Sequence, residues 1–228
     1  MQNIILSDLI RKHPLATTFL NEHHIDYCCG GDHLLYSAIE EQGLDKESFL
    51  LELEQYLHEM EERINPVIRE ELYEMSIEEL IDHLEDTHHQ IERMLLSSID
   101  EKLYTILSVH YTHHKDELVD VFSLFEDLRK ELLIHFVQEE KEVFPLMKRE
   151  ATQATLMKVE ALEADHEGAG ILIKQLQKRT NDFTVPSDGC PTYRATYDLM
   201  KKLVEDIFLH IYTENAILFP KFEQGAML

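Results

Sequence analysis

The sequence lacks several common features, and each shortage excludes a class of protein. No apolar run approaches the roughly 18 residues that a membrane-spanning helix needs. The first twenty residues lack the basic start and apolar block of a secretory signal, so we expect a cytoplasmic protein. Glycine and proline are scarce, at seven and six in 228 residues, and helix-forming residues dominate the middle of the chain, which favours an all-helical fold.

Cysteine and positive charge are also in short supply. The three cysteines cannot form a disulfide framework, because Cys28 and Cys29 are adjacent and Cys190 stands alone. Lys and Arg number 21 against 45 Asp and Glu, for a formal net charge of −24, and such a chain repels both nucleic acid and anionic membranes. Carboxylates and 14 histidines are abundant instead. Solubility accounts for most of the acid, but some of it suits hard cations.

The pattern of apolar residues divides the chain into a small front part and a long helical part. Residues 1–62 are predicted to form an N-terminal helical domain, interrupted by the glycine turn DYCCGGD. Residues 63–75 are charged, contain a proline and form the predicted linker. Residues 76–224 contain four long helical stretches, and the first begins with a capping-box motif formed by Ser76 and Glu79. We therefore predict an all-α protein whose second domain is an antiparallel four-helix bundle.

One sparse pattern occurs twice in the second domain. HFVQEEKEVFP, at 135–145, and HIYTENAILFP, at 210–220, share His, then Glu four, Phe nine and Pro ten residues later. Residues four apart lie on one helix face, so each copy presents an imidazole and a carboxylate to one point: His135 with Glu139, and His210 with Glu214. One such pair arises easily by chance on an acidic helix, whereas two copies with matching ends indicate a metal site in the bundle. The prolines are expected to disturb the helix one turn later.

The other two bundle helices must then offer histidines of their own. The first offers His83, His88 and His89, and of these we expect His88 to be the metal ligand. An inward face that includes it is set by four apolar residues: Ile81, Leu84, Ile91 and Leu95. His89 lies about 100° further round the helix.

The third helix offers one histidine, His166, close to two glycines. Gly168 and Gly170 each cost a helix about 1 kcal/mol relative to alanine, which close backbone approach at a buried site would explain. Clustered imidazoles with two carboxylates between them suit a pair of irons, whereas zinc alone usually settles with four ligands.

These motifs resemble those of a known family. DYCCGG at 26–31, followed by two His-x-x-x-Glu helices that end in Phe-Pro, resembles the iron–sulfur cluster repair di-iron proteins, also called regulators of cell morphogenesis and NO signalling. In that family a short Cys-Cys domain precedes a hemerythrin-like bundle, and the resemblance covers almost the whole chain. It implies two non-haem iron ions, Fe²⁺ or Fe³⁺, joined by oxo or carboxylate bridges.

The resemblance also implies a role for each matching residue. Bridging carboxylates would be Glu139 and Glu214, and terminal ligands would be His88, His110, His135, His166 and His210. His113 and His114 compete with His110 for its place. Glu131 and Asp165 would line a path from the irons to solvent. Cys28 and Cys29 would form a thiol pair that meets iron, a cluster or another cysteine, the alternative being a small buried pair that closes the front domain.

The implied function is repair of iron–sulfur clusters damaged by nitrosative or oxidative stress, through iron donation, NO handling or both. The implied partners are iron–sulfur client proteins and the small ligands NO, O₂ and peroxide, and a homodimer stays open. Two other functions compete: a hemerythrin-like O₂ or NO carrier or sensor, and a di-iron NO reductase or peroxidase. Acids beside the metal weigh against the carrier, and steady-state turnover would separate an enzyme from an iron donor.

Overall fold

The architecture is all-α, which confirms the predicted fold class. The structure, a computed structural model, describes residues 2–13, 16–28, 30–63, 72–149 and 152–226. No β-strand occurs among these residues, although an isolated antiparallel bridge joins Ile5 and Leu34. No helix in the described part of the chain has both the length and the apolar character that crossing a bilayer requires.

Four helices form the front of the chain. They are α1 (Leu6–Lys12), α2 (Ala16–Glu22), α3 (Leu35–Glu41) and α4 (Lys46–Arg63). Their apolar faces meet in a small core, in which the ring of Phe19 packs edge-on against Phe49 at 5.3 Å between centroids. Most of the predicted linker, 63–75, lies outside the described residues.

The second part of the chain is built from long helices interrupted by π-helical turns. In order they are α5 (Ile77–His83), π1 (Leu84–His89), α6 (Gln90–Gln138), π2 (Glu139–Val143), α7 (Phe144–Met147), α8 (Gln153–Arg179), α9 (Pro191–Thr213), π3 (Glu214–Leu218) and α10 (Phe219–Ala226). Helix α6 bends at His114, whose φ of −125° and ψ of 25° are not helical. It therefore consists of two arms, one on each side of His114.

Polar contacts show how the helices run. The arms of α6 lie side by side and antiparallel. Arg93, near the start of the first arm, donates from Nη2 to Oε1 of Glu140, just past the end of the second arm, at 2.7 Å. The second arm runs antiparallel to α8: Asp120 pairs with Arg179, and Glu142 pairs with Lys158. Helix α9 packs against the second arm, through Tyr197 with Glu117, and against π1, through Asp206 with His88. The result is the four-helix bundle that the sequence predicts.

Contacts between residues divide the chain into two compact units that differ from the predicted domains. The bundle unit is Ile81–Ile207, and the front unit is Met1–Leu80 together with Phe208–Leu228. Within the front unit, the ring of Tyr27 packs edge-on against Phe208 and Tyr212, at 6.1 and 5.9 Å between centroids. The end of the last long helix, predicted as bundle, thus shares a core with the first domain.

The predicted capping box is present at the start of α5. The backbone N–H of Ser76 donates to Oε2 of Glu79 at 2.8 Å, and the N–H of Glu79 donates to Oγ of Ser76 at 3.3 Å. The hydrogen bonds from Ser76 lower the pKa of the Glu79 carboxyl. Two N–H groups that have no partner within the helix are satisfied in this way.

Replacing Ser76 by alanine should therefore destabilise the protein by about 1 kcal/mol. Urea unfolding followed by circular dichroism measures this change. The control is Ser97→Ala, because Ser97 is exposed inside α6, where alanine favours the helix. Equal stability of the two variants would show that the capping box contributes nothing.

Candidate metal centre

The two repeated motifs share an unusual backbone. Glu139 is the first residue of π2 and Glu214 is the first residue of π3, and each π turn is followed by a helix that begins with Phe-Pro. Proline has no N–H to donate to the carbonyl four residues earlier, and its ring crowds that carbonyl. The turn before it is therefore pushed out of α-helical bonding. Such π turns are rare and occur often at functional sites.

Glu139 lies between histidines of different helices in the bundle unit. Its side chain is fully buried, and its Oε1 lies 3.0 Å from Nε2 of His135, one turn earlier. Its Oε2 lies 3.3 Å from Nε2 of His89, the last residue of π1. The two oxygens of one carboxylate therefore face two different imidazoles, so Glu139 could serve as a ligand together with either of them.

The ring of His89 is held with Nε2 toward Glu139. Its Nδ1 lies 2.8 Å from Oε1 of Glu140, which also accepts a hydrogen bond from Arg93. Burial by itself raises the pKa of Glu140, but hydrogen bonds from Arg93 and then His89 outweigh it, so this pKa lies below its usual value. The ionised carboxylate accepts from Nδ1–H of His89, which leaves the lone pair of Nε2 for a metal ion.

His166, from α8, joins the same buried group. Its Nε2 lies 3.0 Å from Nε2 of His135, and the ligand atoms of His135, Glu139 and His166 all lie within 4.8 Å of one another. Bonds of about 2.1 Å place neighbouring ligand atoms of one ion about 3 Å apart. The observed separations fit nitrogen and oxygen atoms that share a cation.

The second motif, in the front unit, repeats the pairing of imidazole and carboxylate. Nε2 of His210 lies 3.5 Å from Oε2 of Glu214, and both side chains are buried. The next residue, Asn215, donates from Nδ2 to the backbone carbonyl of Cys28 at 3.1 Å. The residue after each glutamate thus makes a long-range contact: Glu140 orients an imidazole in one motif, and Asn215 binds the front domain in the other.

Family models match both parts of the chain. The model described as the hemerythrin HHE cation-binding domain matches residues 99–222, more than half of the chain. The chain belongs to the hemerythrin HHE family. A second model, ScdA_N, described as a domain of unknown function (DUF542), matches residues 2–57.

Curated relatives extend the likeness over the whole length. The proteins named iron-sulfur cluster repair protein YtfE from Enterobacter sp. (strain 638), Citrobacter koseri and Shigella boydii are each 27% identical to this chain over 220 residues. The alignment covers 96% of this chain and 96% of each relative. The resemblance seen in the sequence is thereby confirmed for the front domain and for the hemerythrin-like bundle.

The hemerythrin bundle brings His89, and not the predicted His88, into the buried group. Across π1 the residue that follows Leu84 on the inner face comes five positions later instead of four. The inner face therefore moves on by one residue, and in α6 Ile91 is 40% exposed while Glu92 is fully buried. The expected inward face through Ile91 is wrong, because it assumes α-helical spacing without interruption.

His110 does not lie in this group either. It comes 21 residues after His89 on a continuous helix, which is about 31 Å along the axis at a rise of 1.5 Å per residue. Its ring packs against Tyr193 at 5.3 Å between centroids. Of the histidines that competed for its place, His114 binds Asp188 at 2.9 Å and His113 is exposed. The histidine-rich segment belongs to the bend of α6.

The two predicted path residues, Glu131 and Asp165, are exposed beside the buried group. Oδ2 of Asp165 lies 3.8 Å from Nδ1 of His135. Oε2 of Glu131 lies 3.4 Å from where a Cβ on Gly168 would stand, an ordinary van der Waals distance, which places this carboxylate beside α8. The two acids thus stand on neighbouring helices at the surface next to His135.

The predicted thiol pair is described only in part. Cys28 is buried, and its Sγ donates to Oδ1 of Asp26 at 3.2 Å. Cys29 lies outside the described residues. A Cβ on Gly30 would lie 2.7 Å from the carbonyl oxygen of Asp26, so this turn requires glycine.

Replacing Glu140 by glutamine should lower iron affinity about 10- to 100-fold, because His89 loses the carboxylate that fixes its tautomer. Titration of apo-protein with Fe²⁺ under anaerobic conditions measures the change. Glu142→Gln is the matched control, since this neighbouring acid forms an exposed ion pair with Lys158. Equal affinities of the two variants would mean that Glu140 does not support the site.

Proposed function

We propose that this chain holds two iron ions between its histidines and carboxylates. The proposed ligands are His89, His135, Glu139, His166, His210 and Glu214. The position of Glu139 carries the proposal, because each of its oxygens faces an imidazole from a different helical segment. His210 and Glu214 supply a second imidazole–carboxylate pair at the spacing of the first, and the cation-binding family model spans both motifs.

The residues around the proposed centre control charge and water. Two iron ions held by nitrogen and oxygen ligands supply a redox-active centre whose ions exchange more readily than those of an all-thiolate site. Glu139 and Glu214 would offset the positive charge, and the contact of Glu140 with Nδ1 of His89 turns the Nε2 of that ring inward. The rings of Phe136 and Phe144 stack on His89 at 4.7 and 6.1 Å between centroids, which keeps water from that side.

The proposed function is repair of damaged iron–sulfur clusters in client proteins by donation of ferrous iron. The names of the full-length relatives support it. The exposed carboxylates of Asp165 and Glu131 support the donation route, because they offer negative charge to a departing cation beside His135. Reactivation of a client enzyme whose cluster has been damaged by NO tests the function directly.

Full-length wild-type protein should contain two irons per chain, and Glu139→Gln and His89→Gln should each lower that number. His110→Gln should keep both irons, because His110 lies far along the helix from Glu139. Metal analysis of each purified variant measures the content, and circular dichroism confirms that each is folded. Two irons in a folded Glu139→Gln variant would overturn the proposed ligand set.

Glu131→Gln should slow the transfer of ferrous iron to a client or to a chelator while leaving the bound iron unchanged. The side chain keeps its shape and loses the charge that favours a cation at the surface. Glu160→Gln, on the exposed face of α8, removes the same charge elsewhere and should transfer iron at the wild-type rate.

Two results would contradict donation. One is client reactivation that proceeds equally well with apo-protein, and it would favour the carrier or sensor function. The other is equal transfer rates for the Glu131 and Glu160 variants, which would exclude the proposed route.

A further inference from the structure

A third group of ligand residues lies in the bundle unit, apart from the proposed di-iron ligands. His88, Glu92 and Asp206 offer ligand atoms that all lie within 4.8 Å of one another. His88 and Glu92 are four residues apart on the first bundle helix, and Asp206 faces them from α9. The group contains one imidazole and two carboxylates, and it shares no residue with the proposed centre.

The distances suit one metal ion. Nδ1 of His88 lies 3.1 Å from Oδ2 of Asp206. With bonds of about 2.1 Å, two atoms this far apart subtend about 95° at an ion between them, the angle between neighbouring octahedral ligands. Opposite ligands of such an ion lie about 4.2 Å apart, so a group within 4.8 Å can close on a single cation.

The group runs from the interior of the bundle to its surface. Glu92 is fully buried, while the side chains of His88 and Asp206 are 11% and 18% exposed. The ring of His83 packs edge-on against His88 at 5.6 Å and limits its rotation. A deep acid, a fixed imidazole and an acid at the rim make a built site rather than a solvated acidic patch.

We propose that His88, Glu92 and Asp206 bind one divalent transition-metal ion in a mononuclear site separate from the di-iron centre. One imidazole and two carboxylates suit Fe²⁺, Mn²⁺ or Zn²⁺. Three protein ligands would leave the remaining positions to water, so this ion would be lost more readily than the two irons and would be added to them when the metal is supplied. The π turn makes both sites available, because it directs two adjacent histidines, His88 and His89, to different groups.

Binding of Mn²⁺ to full-length, iron-loaded protein tests the proposal. The electron paramagnetic resonance signal of free Mn²⁺ falls as the ion binds, so a titration gives the number of sites and their affinity. Wild-type protein should bind one Mn²⁺ while its iron content stays constant. Glu92→Gln and Asp206→Asn should each weaken binding by at least about tenfold. Asp198→Asn, which removes an exposed charge from the same helix, should bind as wild type does.

The two variants protect the test against a folding failure. Should Glu92→Gln fail to fold, Asp206→Asn at the rim carries the comparison. The site is overturned if wild-type protein binds no Mn²⁺ beyond its iron, or if both folded variants bind as wild type does. In that case His88 serves as an ion-pair partner of Asp206. The titration can also be run in the Glu139→Gln background, so a failure of the di-iron proposal is distinguishable from a failure of this one.

Discussion

A buried carboxylate, Glu139, sets the requirements for the bundle around it. A fully buried negative charge costs several kcal/mol unless cations or hydrogen-bond donors surround it. Imidazoles from three helical segments surround it: His89, His135 and His166. The ion pair of Arg93 and Glu140 contacts His89 on the side away from Glu139. Each of these side chains is deep enough that its own polar atoms also need partners. The four-helix packing and the candidate centre therefore depend on one another.

The π turns that interrupt the α-helices determine which side chains face Glu139. Prolines that follow the two motifs account for π2 and π3, at whose first residues the carboxylates stand. No proline lies in π1, but the hydroxyl of Thr87 donates to the carbonyl of His83, a side-chain bond that competes with the backbone ladder. The consequence at π1 is a one-residue shift of the inner face. This shift puts His89 beside Glu139 and leaves His88 with Glu92 and Asp206.

The front domain packs with the end of the last long helix in one compact unit. Tyr27 packs on Phe208 and Tyr212, and the Cys28 carbonyl accepts a hydrogen bond from Asn215. Asn215 directly follows Glu214, one of the proposed ligands. The turn that carries Cys28 and the second motif consequently belong to one packed unit. A conformational change at this turn would therefore act directly on Asn215, the neighbour of Glu214.

The helical class, the capping box at Ser76 and the two His-x-x-x-Glu motifs could all be predicted from the sequence, because each depends on residues within one or two helical turns. His135 and Glu139 needed no partner from elsewhere to be placed on one face. The choice of His89 over His88, and the exclusion of His110 from the buried group, depended on the three-dimensional packing of the helices. This packing also assigned Phe208–Leu228 to the front unit. A π turn shifts which residues face the core, and it has no recognisable sequence motif. Contacts between distant helices cannot be read from the local spacing of residues.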